Sequence, residues 1–295
     1  MQRTAIEPEM MLELSTPRPW RWLSGVLFDW ACIISVLVLV WLTFHPLVIL
    51  LAIVVIGNRQ HALSIMAHDG GHFLAAKNKW LNDFLTVTFA FYPLSIGLSG
   101  YRKFHFAHHS FMGTENDPEF PSKKLDTPFW DLPTTPHNIF WLAIKDLSGL
   151  NIRTLWHLIQ TFPRVTPMDF IGPVLWWTIV GGILLSFHLW WVIALWIIAT
   201  ATSFLACFHL RVWTEHVGTT SVHRISPLWW QRLIFLPHNT WCHYEHHEWP
   251  TIPYWRLPKS RSLDNHEPIH SLEGVFESFR TAPTTPSGAL MKNHQ

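Results

Sequence analysis

Eight of the chain's 20 histidines stand in three tight clusters: His68 with His72, His105 with His108 and His109, and His243 with His246 and His247. Read as helix, each cluster sets imidazoles three or four residues apart on one face, about 5–6 Å apart at Cβ. That arrangement binds metal. Imidazole suits borderline first-row metals such as iron, zinc or copper, whereas calcium and magnesium select oxygen. A tetrahedral structural zinc takes only four ligands, so a set of eight implies two metal ions. An isolated histidine is ordinarily a hydrogen-bonded core or surface group. Two His-x-x-His-His clusters and one His-x-x-x-His, all beside apolar segments, form a motif.

Something must carry these clusters, and the composition indicates what. Of 295 residues, 49% are hydrophobic, 15% aromatic and only 14% charged, which is poor in charge for a soluble globular chain. Membrane insertion accounts for this. The 19 tryptophans agree, since indole favours the headgroup level. A net charge of +1 gives no sign of a nucleic-acid partner. Cys32, Cys207 and Cys242 are isolated, so neither a disulfide framework nor a zinc ribbon is supported, and a reducing cytoplasmic face is expected. Met1 to Pro19 is polar and acidic without an apolar core, which does not read as a cleavable signal peptide.

Four segments are long and apolar enough to cross a hydrocarbon core of about 30 Å. They run over about 22–44, 46–67, 170–187 and 189–210, in two hairpins that turn at His45-Pro46 and at His188. The stretch 81–98 is nearly long enough but carries Pro93 and Gly97. A full crossing there would put His105, His108 and His109 on the opposite side of the membrane from His68 and His72. The stretch is therefore expected to be re-entrant or interfacial, as backbone covered by protein can be. Both turns away from the clusters lack Lys and Arg, whereas Arg3, Arg18, Arg21, Lys77, Lys79, Arg102 and Lys103 fall on the other side. By the positive-inside rule the clusters and both termini face the cytosol.

The expected fold is all-α and integral to the membrane: four transmembrane helices in two hairpins, with a helical cytosolic cap carrying the histidine clusters. Residues 1–21 read as a cytosolic N-terminal segment, 22–258 as one membrane domain, and 259–295 as a polar, loosely ordered C-terminal tail. An amphipathic stretch from Asn138 to Phe162 is expected to lie along the membrane.

The motifs His68-Asp69-Gly70-Gly71-His72, His105-Phe106-Ala107-His108-His109 and His243-Tyr244-Glu245-His246-His247 resemble, in order and context, the three histidine boxes of the membrane fatty-acid desaturase and hydroxylase superfamily. Gly113-Thr114-Glu115-Asn116-Asp117-Pro118-Glu119 after the second box, and Pro250 to Pro258 after the third, resemble it too. The likeness covers roughly Gly57 to Pro258 and is more specific for the superfamily than for the reaction. It implies a diiron site completed by a ninth histidine between the last span and the third box. His216 is similar in placement, with His209 as its rival. Asn239, four residues before His243, could hold a metal-bound water.

A ligating imidazole usually gives its other N–H to a carboxylate or carbonyl. Asp69, Glu215 and Glu245 each adjoin a proposed ligand and are candidates for that part, or else solvated acids. His61, seven residues before His68, shares its helix face and is either a supporting group or a buried structural histidine. Asp117 could anchor the loop after the second box. Arg211 and Arg256 could hold an anionic headgroup or pair locally. His238 reads as structural, and His137, His157, His223, His266, His270 and His294 as surface.

Two ferrous ions with O2 as co-substrate would act on unactivated C–H bonds, where acid–base and nucleophilic catalysis have nothing to work on. The resemblance implies a fatty acyl desaturase whose lipid tail enters an apolar tunnel between the spans. Electrons would come from a separate ferredoxin or cytochrome donor with its reductase. A diiron hydroxylase, ketolase or alkene-forming oxidative decarboxylase acting on a fatty acid or carotenoid is the alternative outcome. The Glu-Asn-Asp-Pro context after the second box also resembles carotenoid ketolases. Imidazole alone does not choose iron over zinc. A metal transporter would carry its ionisable ligands inside the spans, whereas these clusters lie beyond the apolar runs.

Overall fold

The computed structural model describes residues 7–263 and 268–292. Every named element among them is helical. The chain divides into two compact units, one made of residues 18–103 and 144–208, the other of the remainder.

Among the described residues four helices are long and apolar enough to span a membrane, ending at Thr43, Gly71, Ser186 and Trp213, and the first unit holds the last of them as far as Phe208. The first, Pro19–Thr43, and the second, Pro46–Gly71, each begin with proline in the first turn, where its missing N–H is no loss. Phe44, in the left-handed region at φ +45°, ends the first helix, and the imidazole of His45 caps the second by accepting from the Leu47 N–H. His188, at φ +59°, separates Met168–Ser186 from the fourth helix.

These helices approach closely where side chains permit it. A Cβ on Gly57 would stand 2.1 Å from the Ser203 Oγ and 2.5 Å from the Phe204 backbone nitrogen, so only glycine lets the second and fourth helices meet there. Between the first and second helices, Asp29 and Arg59 form an ion pair at 3.1 Å with both side chains buried. The Trp22 indole donates to the Met66 carbonyl at 3.1 Å.

The stretch expected to be re-entrant or interfacial is a short helix, Lys79–Thr86, running into a π-turn, Val87–Phe91, and then irregular backbone. An eight-residue helix rises only about 12 Å. The wide π-turn frees carbonyls from their usual partners, and two indoles take them up. Trp176 donates to the Thr88 oxygen and Trp30 to the Phe89 oxygen, each at 3.0 Å. The stretch Asn138 to Phe162 is broken into Pro136–Leu147 and Ile152–Thr161, with Gly149 in the left-handed region at φ +74° between them.

The second unit gathers the short helix Pro8–Leu14, the residues around the second box and everything from His209 onward. Its core includes Leu14, Trp130, Trp213, Val217, Leu236 and Ile252. The expectation of a loosely ordered tail after Lys259 does not hold for the described residues. Leu272, Val275 and Phe279 bury one face of the helix Leu272–Ser278 and its end, and Phe279 packs on Trp213 with ring centroids 5.5 Å apart. Thr285 and Leu132 exchange backbone hydrogen bonds at 3.1 Å, and the Gly218 N–H donates to the Gly288 carbonyl at 2.8 Å. Leu272, Val275 and Phe279, at helical spacing, give this otherwise polar segment an apolar face to bury. His266 and His294, read as surface, lie outside the described residues.

Candidate metal centre

In the second unit, imidazoles from three separate stretches of chain converge. His105, His108 and His109 occupy the last turns of the helix Leu98–Phe111. His243, His246 and His247 lie on the single-turn helix His243–Glu248, which a 3-10 turn at Thr240–Cys242 introduces. His216 follows directly after the fourth apolar helix ends at Trp213.

They form two adjoining groups. In one, the Nε2 atoms of His105 and His109 are 3.0 Å apart and those of His109 and His246 are 3.1 Å apart. In the other, the Nε2 of His243 lies 3.0 Å from that of His216 and 3.2 Å from that of His247. The ligand atoms of His108, His216 and His247 all lie within 4.8 Å of one another. His109 and His247 join the groups, their rings stacked at 4.2 Å.

What lies behind the rings decides which nitrogen each presents. The Nδ1 of His108 donates to Asp117 at 3.0 Å, and the Nδ1 of His216 to the Ser221 carbonyl at 3.1 Å. The Nδ1 of His243 is 3.7 Å from the Glu215 carboxylate, which Arg211 holds at 3.1 Å. Nδ1 is thus the protonated nitrogen of His108 and His216, leaving the lone pair on Nε2, as a metal requires. The Nε2 of His108 is buried and has no hydrogen-bond partner among the described residues. A metal ion would satisfy it, and an all-imidazole donor set fits iron, zinc or copper.

Electrostatics keep three of these rings neutral. Burial, then the neighbouring His108, pushes His109 down to about 4. Burial likewise pushes His216 and His243 well below the ordinary histidine range. His108 goes the other way: burial opposes its charge, but Glu119 and Asp117 outweigh burial and raise it. Glu119, 3.9 Å from His108 and 2.8 Å from Lys123, is held well below the carboxylate range against burial, chiefly by the Lys123 ammonium. Burial pushes Glu215 up to about 7 despite Arg211.

The remaining residues singled out in the sequence are placed as follows. His68 and His72 close the second apolar helix in the first unit, their rings 5.0 Å apart. Asp69 is buried on the same helix, and His61 is fully buried beside Phe204. His209 is packed against Phe129 and Trp130 in the core. Glu245 is not a solvated acid: its carboxylate accepts from Arg224 and Arg261, each at 2.8 Å. It braces the third-box helix by that clamp. The Asn239 amide donates to the Tyr254 carbonyl at 3.2 Å, and His238 stacks edge-on to Tyr254. His223, read as surface, is half-buried with its Nε2 2.8 Å from the Val217 carbonyl. Sequence reasoning assigned Asp117 only a loop-anchoring part. That bond exists, from the Glu119 N–H at 2.9 Å, but Asp117 also orients His108. No local spacing rule marks a carboxylate nine residues beyond a histidine. Glu119 stands in the sequence only as part of the context after the second box, with no role of its own.

Residues 39–268 match the family model for fatty acid desaturases. Among similar proteins is a dihydrorhizobitoxine desaturase of Bradyrhizobium elkanii, 28% identical over 81% of this chain and 72% of the relative. A putative sphingolipid delta(4)-desaturase/C4-monooxygenase of Caenorhabditis elegans is 25% identical over 70% of this chain and 56% of its own. The human sphingolipid delta(4)-desaturase/C4-monooxygenase DES2 is 25% identical over 70% and 62%. The chain thus spans nearly three quarters of the first relative and less than two thirds of the other two.

Proposed function

Because the chain belongs to the fatty acid desaturase family, we propose that it is a membrane-bound, O2-dependent diiron oxidoreductase acting on unactivated C–H bonds of a lipid chain, as a fatty acyl desaturase. The observation that carries this reading is the pair of adjoining imidazole groups, with His108 and His216 held through Nδ1 so that Nε2 faces inward.

The proposed ligands are His105, His108, His109, His216, His243, His246 and His247, with His68 and His72 included on the motif they carry. Two ferrous ions bound there would supply the redox chemistry with dioxygen that removal of hydrogen from a methylene demands, since such a carbon has neither an acidic proton nor a leaving group. The protein's own part is to hold the ligands. Asp117 and the Ser221 carbonyl fix two rings from behind, Glu215 stands beside His243, and the Arg224–Glu245–Arg261 clamp sets the third-box helix. The low basicity of His109, His216 and His243 keeps them available as neutral donors at physiological pH.

By the distribution of Lys and Arg, the clusters and both termini face the cytosol. Electrons come from an external ferredoxin or cytochrome with its reductase, and the partners are the lipid substrate and membrane lipids.

A second outcome at the same site is supported by the names of relatives that are both desaturases and C4-monooxygenases: insertion of oxygen in place of loss of two hydrogens. One experiment addresses both. Anaerobically purified protein is analysed for metal, then given O2, a reduced donor, and fatty acyl, sphingoid or carotenoid substrates. Mass spectrometry reads the products. Loss of two hydrogens supports desaturation and gain of one oxygen supports hydroxylation. Stoichiometric zinc with no O2-dependent product would end the reading.

A further inference from the structure

The second apolar helix does not turn at a glycine when it ends, although its histidine box contains two. Past Gly70 and Gly71 the chain turns at Phe73, which takes the left-handed region at φ +64°. The Phe73 N–H donates to the Gly70 carbonyl at 3.1 Å and the Leu74 N–H to the Asp69 carbonyl at 3.2 Å, the paired bonds of a Schellman cap. Glycine ordinarily fills the left-handed position of that cap, and a bulky side chain is strained there. His72 immediately precedes it, as the last residue of the helix end. The turn that carries the strain thus also sets the direction of the box's second imidazole.

Arg102, in the second turn of the helix Leu98–Phe111, grips this turn from several sides. Its guanidinium lies over the Phe73 ring, 3.8 Å from the centroid. Its Nε donates to the Gly71 carbonyl at 3.0 Å, and its Nη2 reaches the Gly70 carbonyl at 3.4 Å. Asp83 fixes the far side of the fork, accepting from Nη1 at 3.1 Å and from Nη2 at 2.6 Å. The last carbonyls of a helix lack partners within it and carry the negative end of its dipole, so a cation is stabilised there. Asn82, fully buried, adds to the hold: its Nδ2 donates to the Gly70 carbonyl at 2.9 Å, and its Oδ1 accepts from the Ala75 and Ala76 N–H groups at 3.0 and 3.3 Å. The two box glycines make room for these neighbours. A Cβ on Gly70 would stand 2.3 Å from the Thr86 Oγ1, and one on Gly71 would stand 2.9 Å from the Tyr101 Cε1.

We propose that Arg102 is a positioning residue for the first histidine box: held by Asp83, it pins the carbonyl end of the helix and the strained turn at Phe73, and so fixes the angle at which His72 meets its metal. It acts through the backbone, its donors going to Gly70, Gly71 and Asp83. The planar fork is what the place requires, because it serves two carbonyls, a carboxylate and a ring face together, whereas an ammonium brings the charge without that geometry. The proposal rests on the reading that His72 binds metal.

The test uses full-length protein in detergent, stripped of metal and reloaded with Co2+, whose visible bands report the number and geometry of its ligands. Arg102→Gln should lower Co2+ affinity about 10- to 100-fold, the usual result of removing a group that orients a ligand, and should shift the bands toward those of His72→Ala. Arg102→Lys should stay nearer to Arg102→Gln than to wild type. Asp29→Ala, which breaks a buried ion pair elsewhere in the same unit, is the control for mere loss of stability: it should unfold at a lower temperature with its bands unmoved. Where Arg102→Gln fails to accumulate, Asp83→Asn loosens the fork with Arg102 in place and should move the bands in the same direction by a smaller amount. Wild-type bands and affinity in Arg102→Gln, or in Asp83→Asn where it takes that variant's place, overturn the proposal. So does a lowered unfolding temperature without a band shift, or full recovery in Arg102→Lys. His72→Ala separates the proposal from the reading on which it rests. Bands unmoved in His72→Ala take that imidazole off the metal, and the reading falls. Bands moved in His72→Ala and unmoved in Arg102→Gln leave the ligand and remove the clamp.

Discussion

The Nδ1 of His108 lies 3.0 Å from the carboxylate of Asp117, and the same carboxylate accepts the Glu119 N–H at 2.9 Å. One acid thereby ties the second box to the loop that follows it. Because the bond fixes both the tautomer and the angle of the ring, Asp117→Ala should lower metal affinity about 10- to 100-fold. Asp117→Asn keeps one acceptor oxygen and should lose less. Metal retained after dialysis against graded chelator measures this, and unchanged retention in Asp117→Ala would show that the bond plays no part in holding metal.

His105 and His246 belong to one imidazole group, with His109 between them. His105→Ala or His246→Ala should abolish turnover, yet neither residue lies in an apolar helix, so insertion into the membrane should be unaffected. Product analysis alongside membrane fractionation checks both halves. Full activity in either variant would remove that residue from the site.

Asp29 and Arg59 are buried against each other between the first two helices. Removing one partner leaves a buried charge without its counter-ion, so Asp29→Ala should lower stability by about 3–5 kcal/mol. The double variant Asp29→Leu with Arg59→Met removes both charges and should recover most of that loss. Thermal unfolding in detergent micelles measures it. A double variant as unstable as the single one would show that the charges are not the cause.

Asp83 pairs with Arg102 at 2.6 Å. Partial burial raises its carboxyl, but the bonds from Arg102 and Asn82 and the Arg102 charge outweigh that and hold it below its ordinary value of 3.8. A carboxyl whose pKa is lowered by folding stabilises the fold above its unfolded value and loses that stabilisation as pH falls through the folded one. Wild type and Asp83→Asn should thus differ by a constant amount from pH 7 to about 5 and converge below about pH 4. With the Asp83 side chain 38% exposed, the difference should be about 0.5 kcal/mol, the size of a screened surface pair. Unfolding midpoints across that range test it, and a gap that widens on acidification contradicts the assignment.

The histidine boxes and the apolar helices were legible because both signals are local. Three- and four-residue spacing places His105, His108 and His109 on one helix face whatever surrounds them, and an apolar run of about 20 residues reads as a span by length alone. Leu272, Val275 and Phe279 were equally local and were passed over, because the polar composition around them masked a short amphipathic pattern.

What the sequence by itself determined is therefore the class of chemistry and the family: imidazoles grouped in three boxes, carried by an all-helical chain with four apolar helices. Only the tertiary structure decided which groups stand behind them. Asp117 finds His108 nine residues away, Glu245 is clamped by Arg224 and Arg261 from distant segments, and Trp30 and Trp176 reach the free carbonyls of a π-turn. The physical reason is that ligand type and helix periodicity are properties of neighbours along the chain. A buried polar atom takes whichever partner packing brings within about 3 Å, and no spacing rule encodes that choice.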